Sequence, residues 1–355
     1  GFGHQCLYSV TTASNNMAFG RWALFSNSSG SGNIAIGYSA GYGLTTGNYN
    51  IAIGYQTLDA AVTGDYNTAV GNFALTANTS GYHNTAVGYQ ALDANTEGYT
   101  NDAFGSGALG ANTTGDDNCA FGVGALSANT TASYNCAFGR RALRLNTTGT
   151  ENTTMGAFSM DSNTTGNQNN AIGNSALYGC TTGSGNNSFG YKALQNNTTA
   201  SYNTAFGHNA AFANTIGAAN VAVGAYALDA KAEGSYNTAC GYSALTLQTE
   251  GNGNSGFGYE AGEKITTGTY NTMIGYKAGY STTTATNNII LGKDAAAPSA
   301  TSSNNVVLGN SSIGALRCQQ TSISGLSDER DKTNIVDLTD GLDLVNSIKA
   351  RKFTW

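Results

Sequence analysis

The chemically capable side chains of this 355-residue chain are few, and most stand apart from one another. Its six cysteines (Cys6, Cys119, Cys136, Cys180, Cys240, Cys318) show no C-x-x-C spacing of the kind a zinc site uses. His4, His83 and His208 are scattered and have no ligand partners nearby in sequence, so no metal is expected. The G-x-G triplets lack the strand–loop–helix setting in which glycines cradle a phosphate, so no cofactor is expected either. A glycosidase would need paired carboxylates in a groove, and Asp and Glu are sparse in the body of the chain. What recurs instead is uncharged chemistry: asparagine amides, threonine hydroxyls and tyrosine rings.

Tyrosine occupies two recurring places. Tyr38, Tyr55, Tyr89, Tyr191, Tyr242, Tyr259 and Tyr276 follow a glycine, whereas Tyr49, Tyr66, Tyr134, Tyr202, Tyr236 and Tyr270 precede an asparagine. Rings so spaced can bind glycan rings, or can cover an edge by stacking on each other. Tyr55, Tyr89, Tyr191 and Tyr242 are the candidate glycan contacts. Rows of Thr suggest an ice-binding surface, but adjacent Thr residues followed by Gly are turn chemistry. The N-x-(S/T) triplets are by-products of the same pattern. Cys119 and Cys136 lie one period apart, near enough for a disulfide or able to serve as small thiols in place of Thr.

These residues are positioned by a repeat. The phrase Asn-x-small-apolar-Gly begins at Asn16 and recurs every 17 residues, without insertion or deletion, to Asn305–Gly309. All 18 copies have Asn first, an apolar residue fourth and Gly fifth. The consensus is N-T-A-(F/I/V)-G-Y-x-A-L-x-x-N-T-T-G-x-Y, and we number its positions from the Asn. Side chains two apart share a face of a strand, so the third and fourth residues point opposite ways. The expectation is that the large fourth residue fills a core, and that the Ala permits close approach of another layer or chain. Gly supplies a corner and T-T-G a turn, giving two short strands and two corners per coil. One coil cannot bury its own apolar residues, but stacked coils can. The fold expected is therefore an all-β parallel β-solenoid of 17-residue coils, on the order of 85 Å long at ~4.8 Å per coil. Stacking places each Asn over the next in an amide ladder, of which Asn67, Asn84 and Asn101 are members; Gly71, Gly88 and Gly105 line the corner column.

Composition agrees with an ordered array and excludes several functions. The chain has 48 Gly, one Pro and only 10% charged residues, yet 20 Tyr and 13 Phe, too aromatic for a disordered polar tract. A net charge of −6 with no basic patch leaves no footprint for nucleic acid. No apolar run approaches the ~20 residues of a membrane span, so membrane insertion is not expected. The register extends back past Asn16 through Phe2, Gly3 and Cys6-Leu7, so the chain reads as beginning inside a coil of a longer protein.

The expected organisation is a solenoid over residues 1–313, a neck over 314–326 and the incomplete start of another domain over 327–355. Residues 317–355 hold 12 of the 36 charged residues. Thr339–Ile348 has the look of a short helix with Thr or Asp at its N-cap, and Arg351–Trp355 that of a strand. Ser327–Ile335, SDERDKTNI, followed by GLDLVNSIKARKFTW, resembles the opening of the intramolecular chaperone domain at the C-terminus of phage tailspikes and tail fibres. That family trimerises its fibre and then cuts itself off with a Ser–Lys dyad. The resemblance implies an α/β start to the final domain, with Ser327 as nucleophile, Lys332 as base and Leu326–Ser327 as the scissile bond. Asp331 departs from the family's Leu and, beside Lys332, favours the charged ammonium. The repeat is similar to those of fibres ending in this chaperone. It also resembles the head repeats of trimeric autotransporter adhesins, whose N-S-x-A-I-G phrase builds a left-handed β-roll in each of three chains. By that resemblance the Ala face would lie near a three-fold axis; a roll in each chain and an intertwined three-chain helix both remain open. The two resemblances together imply a homotrimeric phage tail fibre on the virion, contacting a host cell-surface glycan or protein receptor and catalysing nothing but its own cleavage. The alternative is a bacterial surface adhesin or extracellular filament.

Overall fold

The computed structural model describes residues 1–230 and 233–315. The chain divides into Gly1–Ser312 and Ile313–Trp355, and the first unit is a parallel β-solenoid. Its described residues form 18 three-residue strands, β1 (Met17–Phe19) to β18 (Val306–Leu308), and no helix. Each strand pairs in parallel with the next in sequence, so that Ala86 stands beside Ala103 and Phe104 beside Phe121. All of this pairing is within one chain. Every coil contributes one strand, not two; the other fourteen positions are a closed run of turns.

The turns keep the ladder going by alternating backbone hand. Positions seven, nine and seventeen adopt left-handed φ even where the residue is not Gly, as in Phe73 (60°), Leu75 (52°) and Tyr66 (59°). Breaking the helical sense of the chain in this way turns N–H groups along the rod, some back and some forward. Phe73 N–H donates back to Tyr55 O at 3.0 Å, and Leu75 N–H forward to Ala91 O at 3.0 Å. Left-handed φ costs a non-Gly residue roughly 1–2 kcal/mol, and the inter-coil bonds and core packing offset it. Gly107, Gly41 and Gly32 fall in these three columns, where they relieve that strain. The corner glycines at position five are different: from Gly3 to Gly292 their φ lies between 118° and 143°, a region essentially reserved for Gly.

The core overturns one expectation. The Ala at position three of the coil, the middle residue of its strand, points inward: Ala35, Ala86 and Ala137 are fully buried together with the Ala-Leu pair of positions eight and nine. The large fourth residue points out, leaving Phe19, Phe206 and Ile274 exposed. The reason is width. Leu75 and its equivalents already fill the lumen of so narrow a coil, so only a methyl fits opposite them. Where position nine lacks its Leu, volume returns from elsewhere. Gly41 is matched by buried Leu44 at position twelve, Gly262 by Ile265, and Gly279 faces Met273 and Ile290.

Candidate recognition edge and association face

The asparagines do more than stack. Asn84 Oδ1 accepts the backbone N–H of Asn101 at 3.0 Å and its Nδ2 at 3.2 Å, tying coil to coil. Asn84 Nδ2 crosses its own coil to Gly98 O at 2.8 Å. Asn67 and Asn101 make the same bond to Gly81 O and Gly115 O. A second ladder runs through position twelve: Asn95, Asn112, Asn129, Asn146 and Asn163 each donate to the Asn one coil back at 2.8–3.1 Å. It ends at Asn163, because the next residue in the column is Cys180, and Asn163 Oδ1 is buried without a partner. Asn27 and Gln248 are stranded in the same way by Leu44 and Ile265, the residues that restore core volume. At position five, Gly71, Gly88 and Gly105 stack so closely that a Cβ on any of them would meet the next glycine's carbonyl oxygen at 2.5–2.6 Å. These columns are built for stacking and have no free chemistry.

Two surfaces remain with features that stacking does not require. The first is the outward strand face, positions two and four. Position four is apolar in every coil, and Phe104, Phe121 and Phe138 stack face to face at 4.5 and 4.8 Å. Cys119 and Cys136 neighbour each other at position two of this face and are half-buried free thiols. Burial pushes the Cys119 thiol up to about 12, with Cys136 and Asp102 adding to the effect.

The second is the edge formed by positions six, seven and ten. Tyr55, Tyr89, Tyr191 and Tyr242 all stand on it, each 43–51% exposed. They belong to two separate ring ladders. One runs Trp22, Tyr38, Tyr55, Phe73, Tyr89, with centroids 5.2–6.0 Å apart. The other runs Tyr191, His208, Tyr226, Tyr242, Tyr259, Tyr276, at 5.2–5.8 Å. Between them lie small residues such as Ser106 and Gly107, then Arg140, Arg141 and Arg144. Asp161, almost fully buried, holds Arg144 by two bonds of 2.9 and 3.0 Å and Arg141 at 3.3 Å.

The sequence pattern of Tyr after Gly covers position six alone and so misses Trp22, Phe73, Tyr226 and Tyr42. Aligning the coils and asking which columns are aromatic would find them.

The same edge concentrates unpartnered acceptors. Asp59, Asp229, Gln195 and Glu263 at position ten, and Asn209 at position seven, each bury an oxygen that no donor reaches. Desolvation raises the carboxyl pKa of Asp59, Asp93 and Asp229 above the ordinary range. Around Trp22 and Asp59, side chains of positions six, seven and ten open onto a cleft of ≈ 240 Å³.

Among the described residues no group of three or more His, Cys, Asp or Glu converges to hold a metal, and no helix is long and apolar enough to cross a membrane. Ser327 and Lys332 lie outside the described residues. No protein-family model, curated protein or solved structure matches the chain.

Proposed function

We propose that the chain is the shaft and receptor-contacting region of a homotrimeric phage tail fibre, carrying at its end the start of a self-cleaving chaperone. The observation that supports this reading best is the outward aliphatic and Phe column, on a rod whose other surfaces are polar apart from their tyrosine-rich columns. An apolar stripe repeated in every coil is a surface that water disfavours and another protein chain would cover. Covering ~40 Å² per exposed side chain at ~25 cal/mol/Å² contributes about 1 kcal/mol per coil, summed along the whole rod. The partner best matched to a stripe with a fixed inter-coil spacing is another copy with the same spacing. The number three, the virion setting and the Ser327–Lys332 dyad come from the resemblance of the repeat and of Ser327–Ile335. The aromatic edge, away from the strand face, is the part that would meet a host glycan or protein receptor.

Sedimentation of the full chain tests the association. Three copies of the 36.3 kDa chain are expected, and Phe121→Arg, which places a charge in the stripe, is expected to shift the mass toward that of one chain while strand amides stay protected. A monomeric wild type would sink the proposal. Intact mass of the full-length expressed protein, wild type against Ser327→Ala, tests the cleavage: only the wild type should release a piece starting at Ser327. A bacterial surface adhesin built on the same solenoid is the second reading, favoured by the same stripe if association occurs without cleavage.

A further inference from the structure

We propose that the cleft bounded by Trp22, Tyr38, Tyr42, Tyr55, Gln56 and Asp59 is a subsite for one ring of an uncharged saccharide. The inference rests on the receptor-contacting half of the proposed function and names its ligand class.

Tilted rings and an unpartnered acceptor meet at this cleft. Where ladder neighbours lie nearly parallel, as Tyr242 and Tyr259 do at 9°, each ring covers the face of the next, whereas the contacts at Phe73 and Tyr226 are edge-on. At the cleft, Trp22 is tilted 59° from Tyr38 and 72° from Tyr42, with centroids at 5.3 and 6.4 Å. A tilted neighbour does not cover a ring's face, and Arg21 lies over only one side of Trp22, so the C–H face of a pyranose can lie against the indole where it lines the cleft. The polar side of such a ring needs acceptors for its hydroxyls, and the cleft supplies Gln56 and Asp59. One Asp59 oxygen is buried and has no partner among the described residues, so turning it onto a hydroxyl donor recovers a bond that folding leaves unmade.

Charge narrows the ligand. Arg21 holds its guanidinium 4.0 Å over the Trp22 ring, which repels a cationic ligand from the aromatic walls. Asp59, whose pKa is raised by burial, disfavours a second negative charge beside it. Aromatic faces with acceptors and no net preference for an ion describe a neutral sugar. At ≈ 240 Å³ the cleft admits one ring of a chain that continues along the edge toward Phe73 and Tyr89.

The two tryptophans are Trp22 and Trp355, so Trp355→Phe in the full chain makes Trp22 the only indole reporter. Its emission would be titrated with a panel of neutral oligosaccharides (hexamers of glucose, mannose, galactose and N-acetylglucosamine), with sialyllactose, and with choline. At least one neutral hexamer is expected to give a saturable change, weakened about tenfold or more by Asp59→Ala, the loss expected for one hydrogen bond to a carboxylate. Hydrogen exchange of Ile34–Ile36 and Ile51–Ile53 checks that the variant keeps its coils. A response to choline or sialyllactose alone, no response to any neutral hexamer, or one that Asp59→Ala leaves unchanged overturns the subsite. Sedimentation on the same samples separates the two readings. A trimer that binds none of the sugars loses the subsite and keeps the fibre; a monomer that binds them does the reverse.

Discussion

Replacing Gly88 by Ala should break the rod locally, and the structure sets how much. Gly88 has φ 140°, and a Cβ there would sit 2.6 Å from Gly105 O and 2.7 Å from its carbonyl carbon. Holding an Ala in that region of φ costs about 1–3 kcal/mol. Pushing two backbones apart in a close-packed stack adds about 1–3 kcal/mol more. A loss of ~2–6 kcal/mol is therefore expected. The control is Gly98→Ala, whose Cβ would be just as near a carbonyl, 2.5 Å from Gly115 O. Gly98 has no left-handed φ, and the chain itself places Ala132, Ala200 and Ala285 in that column, so the cost should be at most about 1 kcal/mol. Hydrogen exchange on the full chain reads both. Amides of Thr85–Val87 and Asp102–Phe104 should exchange about 30-fold to 10⁴-fold faster in Gly88→Ala. The distant strand Thr272–Ile274 should be unchanged, because each coil touches only its neighbours. If the two alanines cost the same, backbone geometry is not what holds the corner column.

Two further outcomes are tied to particular columns. Cys180→Asn should stabilise the rod by about 1 kcal/mol, because the new amide can donate to the stranded Asn163 Oδ1 and rejoin the ladder to Asn197. Slower exchange of the two flanking strands, Asn170–Ile172 and Asn187–Phe189, would show it, and faster exchange would mean that the thiol is needed for packing. Cys119 should resist alkylation at neutral pH. The thiolate is the reactive form, and a thiol pKa pushed up to about 12 keeps it protonated until the pH rises toward that value. Mass spectrometry after iodoacetamide at stepped pH reads it; rapid labelling near pH 8 contradicts the assigned environment. The folded pKa lies above the unfolded one, so the protonated thiol does not oppose folding below the ordinary thiol pKa. Between that value and about 12, stability is lost as pH climbs.

Much of the fold was legible because a repeat is read against itself. The 17-residue period, the in-register stacking and the glycine corner were visible in the sequence, since each is a constraint that every coil must satisfy separately. The amide column at Asn67, Asn84 and Asn101 was visible for the same reason, though its second bond, across the coil to the turn carbonyl, was not. Period two says that positions three and four of a strand face opposite ways; it does not say which way is in. That was decided by the width of the lumen once Leu at position nine had filled it. The number of strands per coil was likewise settled by left-handed residues such as Leu75 and Phe73, whose conformation propensity alone disfavours and which inter-coil bonding sustains. Recognition features were the least legible. A column of Tyr can be counted, but the cleft at Trp22 and Asp59 exists only because three consecutive coils place different residues at positions six, seven and ten. The sequence thus determined what every coil has in common, because stacking demands it. The tertiary structure alone decided which face is hidden and where coils differ enough to leave a cleft, because both depend on how side-chain volumes fill one shared cross-section.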